Sequence, residues 1–240
     1  MTQFPFDVVG FDLDGTLLDT LGDLAVALNH ALALEGRPPI AVDAVRDLVG
    51  GGARKMLAKG LEVTGGGVSD ARLSELHHAL IAYYADHIAA TTQLYPGGAE
   101  MLTGLAARGV KLAVVTNKLE SLAVKIFAEL GLSDRFFTVI GGDTLGPGRA
   151  KPKPDLIELM LERAGSTDRP LRAAFVGDTT YDTGAAAAAG IPCIAVSFGF
   201  NDKPAQELGA TAVIDHFDEL IPTLEGLGLD LPQASMLSKT

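Results

Sequence analysis

Short runs of near-continuous apolar residues alternate along the chain with stretches whose apolar positions recur at helical spacing. Residues 8–13, 110–116, 136–140, 172–177 and 194–198 are of the first kind, and 212–214 adds a shorter sixth. Strands that are apolar on both faces belong to parallel sheets covered on both sides. The intervening 98–108, 119–130, 155–164 and 182–189 are amphipathic or alanine-rich and suit right-handed crossover helices. The pattern predicts an α/β fold, an open parallel sheet with helices on both faces.

One interval departs from this alternation. Residues 19–95 carry only helical signals, with Leu24, Leu28, Ala31 and Leu32 on one stripe and Leu73, Leu76, Leu80, Ile81, Tyr84 and Ile88 on another. They predict an inserted α-helical cap, leaving 1–18 and 96–240 as the α/β core. The two crossings, near 18–21 and over 91–98 with Pro96, Gly97 and Gly98, read as a hinge. His77, His78 and His87 are placed on the last inserted helix as surface or boundary residues, because no carboxylate-rich pattern accompanies them. Gly65, Gly66 and Gly67 read as a turn, and the pattern fades after about Gly226, which predicts a loosely held tail.

Composition narrows the function. At 240 residues the chain can bury one full core and a smaller one, and its single cysteine, Cys193, lies in an apolar run as a buried thiol. Asp7, Asp12 and Asp14 interrupt any membrane span near the N-terminus, so a cytoplasmic protein is expected. Thirty acidic against nineteen basic residues give a net charge of −11, which disfavours nucleic acid and anionic membrane as partners. An anionic substrate then requires local positive charge.

In an open parallel sheet, ligands bind beyond the carboxyl ends of the strands. Those ends carry Asp12 and Asp14, then Thr116, Asn117 and Lys118, then Asp178 and Asp182, while Lys151 opens a crossover helix. An isolated Asp-x-Asp is often only a turn device. Four carboxylates, a hydroxyl and a lysine on one rim instead call for a hard divalent cation, and Mg2+ suits oxygen ligands shared with a substrate phosphate.

The segments FDLDGTLLDT at 11–20, VVTNK at 114–118, KPKP at 151–154 and GDTTYD at 177–182 resemble the four ordered motifs of haloacid dehalogenase-superfamily phosphatases. The resemblance spans nearly the whole chain and implies a Mg2+-dependent phosphatase acting through a phosphorylated Asp12. It implies Asp14 as acid and then base, Thr116 and Asn117 as phosphate donors, and Lys151, rather than Lys153, as the charge-neutralising lysine. Metal contacts are implied at Asp12, Asp14, Asp178 and Asp182, the last either a ligand or a support. DLA at 23–25, the GGGAR loop at 50–54, GGD at 141–143 and SFGFN at 197–201 are similar to bacterial phosphoglycolate phosphatases. That similarity places Gly51, Gly52 and Arg54 against the substrate, most plainly 2-phosphoglycolate. Sugar phosphates or pyrophosphate are the alternatives, and a phosphomutase or a non-enzymatic phospho-accepting switch is more remote. A small phosphorylated metabolite is the expected partner of a monomer or homodimer.

Overall fold

The computed structural model describes residues 4–165 and 169–230. Six parallel strands form the central sheet: β1 (Val8–Phe11), β4 (Lys111–Val115), β5 (Thr138–Ile140), β6 (Ala173–Gly177), β7 (Cys193–Val196) and β8 (Ala212–Ile214). Their order is β5-β4-β1-β6-β7-β8, so the chain winds outward on one side of β1 and then on the other. A crevice therefore opens beside β1, where strand order reverses.

Both faces of this sheet are dry, as the unbroken apolar runs require. Val9, Phe11, Val114 and Val176 point to one face, covered by α5 (Gly98–Ala107), α6 (Glu120–Glu129) and α9 (Leu220–Asp230). Val8, Ala113, Val115 and Phe175 point to the other, under α7 (Asp155–Ala164) and α8 (Thr180–Ala188). Cys193 is buried on that second face, where burial raises its thiol pKa and leaves it inert.

The interval after β1 holds four helices, α1 (Leu21–Ala33), α2 (Val42–Val45), α3 (Ala53–Val63) and α4 (Asp70–Asp86). Leu28, Leu32, Leu57, Leu76 and Leu80 meet in their shared interior. His87 lies one residue beyond α4, not on it; His78 is exposed, and His77 is half-buried. The two chain crossings pair with each other: β2 (Leu18–Asp19) and β3 (Gln93–Leu94) form a two-stranded antiparallel ribbon.

Asp23, in the first turn of α1, fixes this junction. Its buried carboxylate accepts from the Thr91 amide (3.0 Å) and hydroxyl (2.7 Å) and from the Thr92 amide (3.0 Å) and hydroxyl (2.7 Å). Burial alone would raise its pKa, but the Thr92 and Thr91 donors prevail and hold it below the ordinary value of 3.8. The stabilisation is therefore present above that pH and lost as pH falls through the folded value. Asp23→Ala orphans the buried amide and hydroxyl of Thr92 and releases the exposed Thr91, and is expected to remove about 2–3 kcal/mol from urea-unfolding stability. A loss under about 1 kcal/mol would mean that water replaces the carboxylate.

The C-terminal segment differs from expectation. α9 continues through Gly226 to Asp230, and Leu227 packs on the core. A Cβ at Gly228 would lie 2.1 Å from the Pro5 ring, so this glycine permits a close approach. The rest of the expected loose tail lies outside the described residues.

Candidate active site

The side chains singled out at the strand ends converge on the carboxyl rim of β1, β4 and β6. β1 ends at Phe11, and the Asp12 amide still bonds the Val176 carbonyl (2.9 Å), which fixes Asp12 beside β6. A tight turn follows, closed by Leu18 N to Leu13 O (3.0 Å) and by Gly15 at φ 82°. A side chain at Gly15 would be strained, and its Cβ would stand 2.4 Å from Asp178 Oδ2.

Lys151 is the hub of the buried cluster. Its ammonium lies 2.9 Å from Asp12 Oδ1, 2.6 Å from Asp182 Oδ1 and 2.9 Å from the Val115 carbonyl, whereas Lys153 is exposed. Burial opposes the charge, but Asp12 and Asp182 outweigh it and hold Lys151 above the usual lysine range. Asp182 also accepts on its other oxygen from the amides of Asp178 (3.2 Å) and Thr179 (3.0 Å) and from the Thr179 hydroxyl (2.6 Å). Thr179 and Asp182 thereby form a reciprocal cap on α8, and Asp182 is nearly saturated.

Asp178 is fully buried. Thr16 Oγ1 donates to one of its oxygens (2.9 Å) and the Phe200 amide to the other (2.7 Å). The segment 197–201 has a physical role here: Asn201 Nδ2 ties the Asp178 carbonyl (2.7 Å), and a Cβ at Gly199 would sit 2.4 Å from Asp178 Cβ. The segment 141–143 props the loop after β4 in a similar way. Gly142 N bonds the Lys118 carbonyl (2.8 Å), and Asp143 accepts from the Glu120 amide (2.8 Å) at the start of α6.

These carboxylates suit a cation. Asp12, Asp178 and Asp182 each bring an oxygen within 4.8 Å of the others. Burial pushes Asp12 up to about 6, against the pull of Lys151 and with the push of Asp182. Burial first, then Asp182 and Asp12, raise Asp178 well above the carboxylate range. One ammonium does not balance the three charges, and Asp12 Oδ1, although ion-paired to Lys151, meets no hydrogen-bond geometry. A hard divalent ion fits this donor set of oxygens.

Above the cluster lies a cavity of about 490 Å³ between the rim and the helical segment. Asp12, Asp14, Thr116, Asn117 and Lys118 line its core side, and Gly51, Gly52, Arg54, Leu73, Leu80, Ile81 and Tyr84 its helical side. Asn117 Nδ2 spans the two, donating to the Gly50 and Lys151 carbonyls at 3.2 Å each. Arg54 is exposed and donates to Ser74 Oγ (3.0 Å).

Lys118 is the residue to which the sequence assigned no role. It is buried, with its ammonium 2.7 and 2.8 Å from the two Asp14 oxygens and 4.7 Å from the Tyr84 ring centre. Burial would lower its pKa, but Asp14 and Tyr84 keep it above the lysine range. Thr20 Oγ1 also donates to Asp14 (2.8 Å).

Residues 9–196 match the family model described as haloacid dehalogenase-like hydrolase. The chain is 38% identical over 227 residues to the phosphoglycolate phosphatase of Agrobacterium fabrum, an alignment covering 93% of this chain and 95% of that one. It is 38% identical over 239 residues to the phosphoglycolate phosphatase of Rhodospirillum rubrum, covering 96% and 94% respectively. The crystal structure of a predicted phosphoglycolate phosphatase from Haemophilus somnus superposes with a TM-score of 0.83 at 28% identity, covering 93% of this chain and 99% of that one.

Proposed function

The chain belongs to the haloacid dehalogenase-like hydrolases and is a phosphatase, and from that premise we propose that it hydrolyses 2-phosphoglycolate with Mg2+ through a phosphorylated Asp12. The observation that carries this reading is the buried Asp12, ion-paired to Lys151 at 2.9 Å and facing a cavity also lined by Thr116 and Asn117.

Asp12 attacks phosphorus, the ester bond to the leaving oxygen breaks, and Asp14 delivers the proton that oxygen needs. Water then attacks the acyl phosphate, Asp14 takes its proton, and Asp12 is regenerated with release of phosphate. Lys151 stays charged and offsets the negative charge that spreads over the transferring group, while the Thr116 hydroxyl and Asn117 amide orient its oxygens. Asp12 and Asp178, with the main chain at Asp14, would hold Mg2+, and Asp182 would orient Lys151. When bound, the ion supplies Lewis-acid stabilisation of the phosphoryl oxygens.

Residues 19–95 act as a cap that closes the site to bulk solvent and leaves room for the one water that Asp14 activates. Gly51 and Gly52 let its loop approach the substrate closely, and Arg54 adds positive charge at the outer wall against the net charge of −11. The cavity volume of about 490 Å³ favours a second reading, a larger sugar phosphate.

A panel of phosphate monoesters assayed for phosphate release tests both. With Mg2+, 2-phosphoglycolate is expected to give the highest kcat/KM, and chelation is expected to abolish release until Mg2+ is restored. Faster turnover of a sugar phosphate would select the second reading, and metal-independent release would overturn both.

A further inference from the structure

The cavity holds a polar pair that the phosphoryl chemistry does not use. Lys118 follows β4 on the core side, and Tyr84 belongs to α4 on the opposite side. Both are buried, Lys118 at 8% and Tyr84 at 2% exposure, and both line the cavity. A lysine ammonium carries three N–H bonds, and Lys118 turns its charge on Asp14 at 2.7 and 2.8 Å. The Tyr84 ring centre lies 4.7 Å from that ammonium, and its hydroxyl, although it interacts with Lys118, meets no hydrogen-bond geometry among the described residues. A buried hydroxyl without a partner is costly unless something else completes it.

We propose that Lys118 and Tyr84 form the subsite that recognises an anionic group on the leaving alcohol, a carboxylate bridging the Lys118 ammonium and the Tyr84 hydroxyl. This rests on the phosphatase reading above, with Asp14 at the leaving oxygen. In 2-phosphoglycolate the carboxylate carbon is two bonds from that oxygen, so a cation touching Asp14 stands at the spacing the carboxylate needs. The other cations on the cavity wall are differently occupied: Arg54 is exposed and bonded to Ser74, and Lys55 lies 5.2 Å over the Tyr181 ring. The pair also spans the seam between the core and the helical segment. A carboxylate bound there ties the two together, whereas a neutral leaving group gains neither contact.

The test separates this subsite from the reaction by measuring binding without turnover. In Asp12→Asn protein with Mg2+, 2-phosphoglycolate is titrated against ethyl phosphate, which has the same chain length and no carboxylate. Adding Lys118→Met is expected to weaken 2-phosphoglycolate binding by about 10–100-fold, and Tyr84→Phe by about 5–10-fold. Ethyl phosphate is expected to change by less than about 3-fold. Lys118→Arg, which keeps the charge, is expected to retain most of the preference. Equal losses for both ligands, or an unchanged preference in Lys118→Met, would overturn the subsite. Tyr84→Phe preserves the ring in the helical core and decides the matter if Lys118→Met does not fold. Failure of the wild-type protein to release phosphate from either ester would instead count against the phosphatase reading, so the two failures remain distinct.

Discussion

Asp12→Asn is expected to eliminate phosphate release while leaving the metal-free protein at least as stable as the wild type. Loss of a covalent nucleophile costs on the order of 10⁴-fold or more in turnover. Stability moves the other way because Asp12 is ionised at a cost. Its pKa rises from 3.8 to about 6, chiefly through burial, so the carboxylate form is disfavoured in the fold by roughly 3 kcal/mol. For an acid with a raised folded pKa, stability falls as pH climbs from 3.8 to about 6 and stays low above it. The neutral amide has the same shape and removes that dependence. Phosphate release and thermal melting at pH 7.5 without metal check both halves. Near-normal turnover would refute the nucleophile, and a large drop in Tm would show that Asp12 contributes to the fold.

Lys151→Met is expected to have the opposite signature. The ammonium is the charge shared by Asp12 and Asp182 and donates to the Val115 carbonyl. Removing one partner of a buried ion pair typically costs about 3–5 kcal/mol, since the remaining carboxylates stay desolvated. Turnover should fall by about 10³-fold, as when a donor to the developing charge is lost. Added Mg2+ is expected to recover part of the melting temperature and little of the rate. Unchanged melting without metal would show that water reaches the cluster and compensates for it. The two variants remove opposite partners of a single ion pair, yet the physics separates them: one relieves excess negative charge, and the other exposes it.

The sheet was legible because its strands are apolar on both faces and its crossovers keep helical spacing; α7 and β8 fall at the residues the pattern marks. β2 and β3 are two residues each, too short to show any period. In α9, Gly226 and Gly228 look like loss of helix propensity, although Gly228 is there for its approach to Pro5. The motif residues were legible as a set, since the ends of parallel strands must share a rim. Lys118 and Asp23 were not, for the reason that their partners are distant in sequence. Asp14 lies 104 residues from Lys118, and Thr91 lies 68 from Asp23. Nothing local distinguishes such a residue from a solvated charge or an ordinary first-turn acid.

The ribbon of β2 and β3 places Leu18 directly across from Leu94. The helical segment thus leaves and rejoins the chain through a gap one inter-strand spacing wide, at the foot of a hairpin, and the core meets it again where Asn117 reaches Gly50. Inserts of other lengths can start and end at that pair, provided they keep Thr20, whose hydroxyl donates to Asp14. A library of transplanted inserts, each screened for new leaving-group preferences on an unaltered phosphoryl centre, is the experiment this architecture invites.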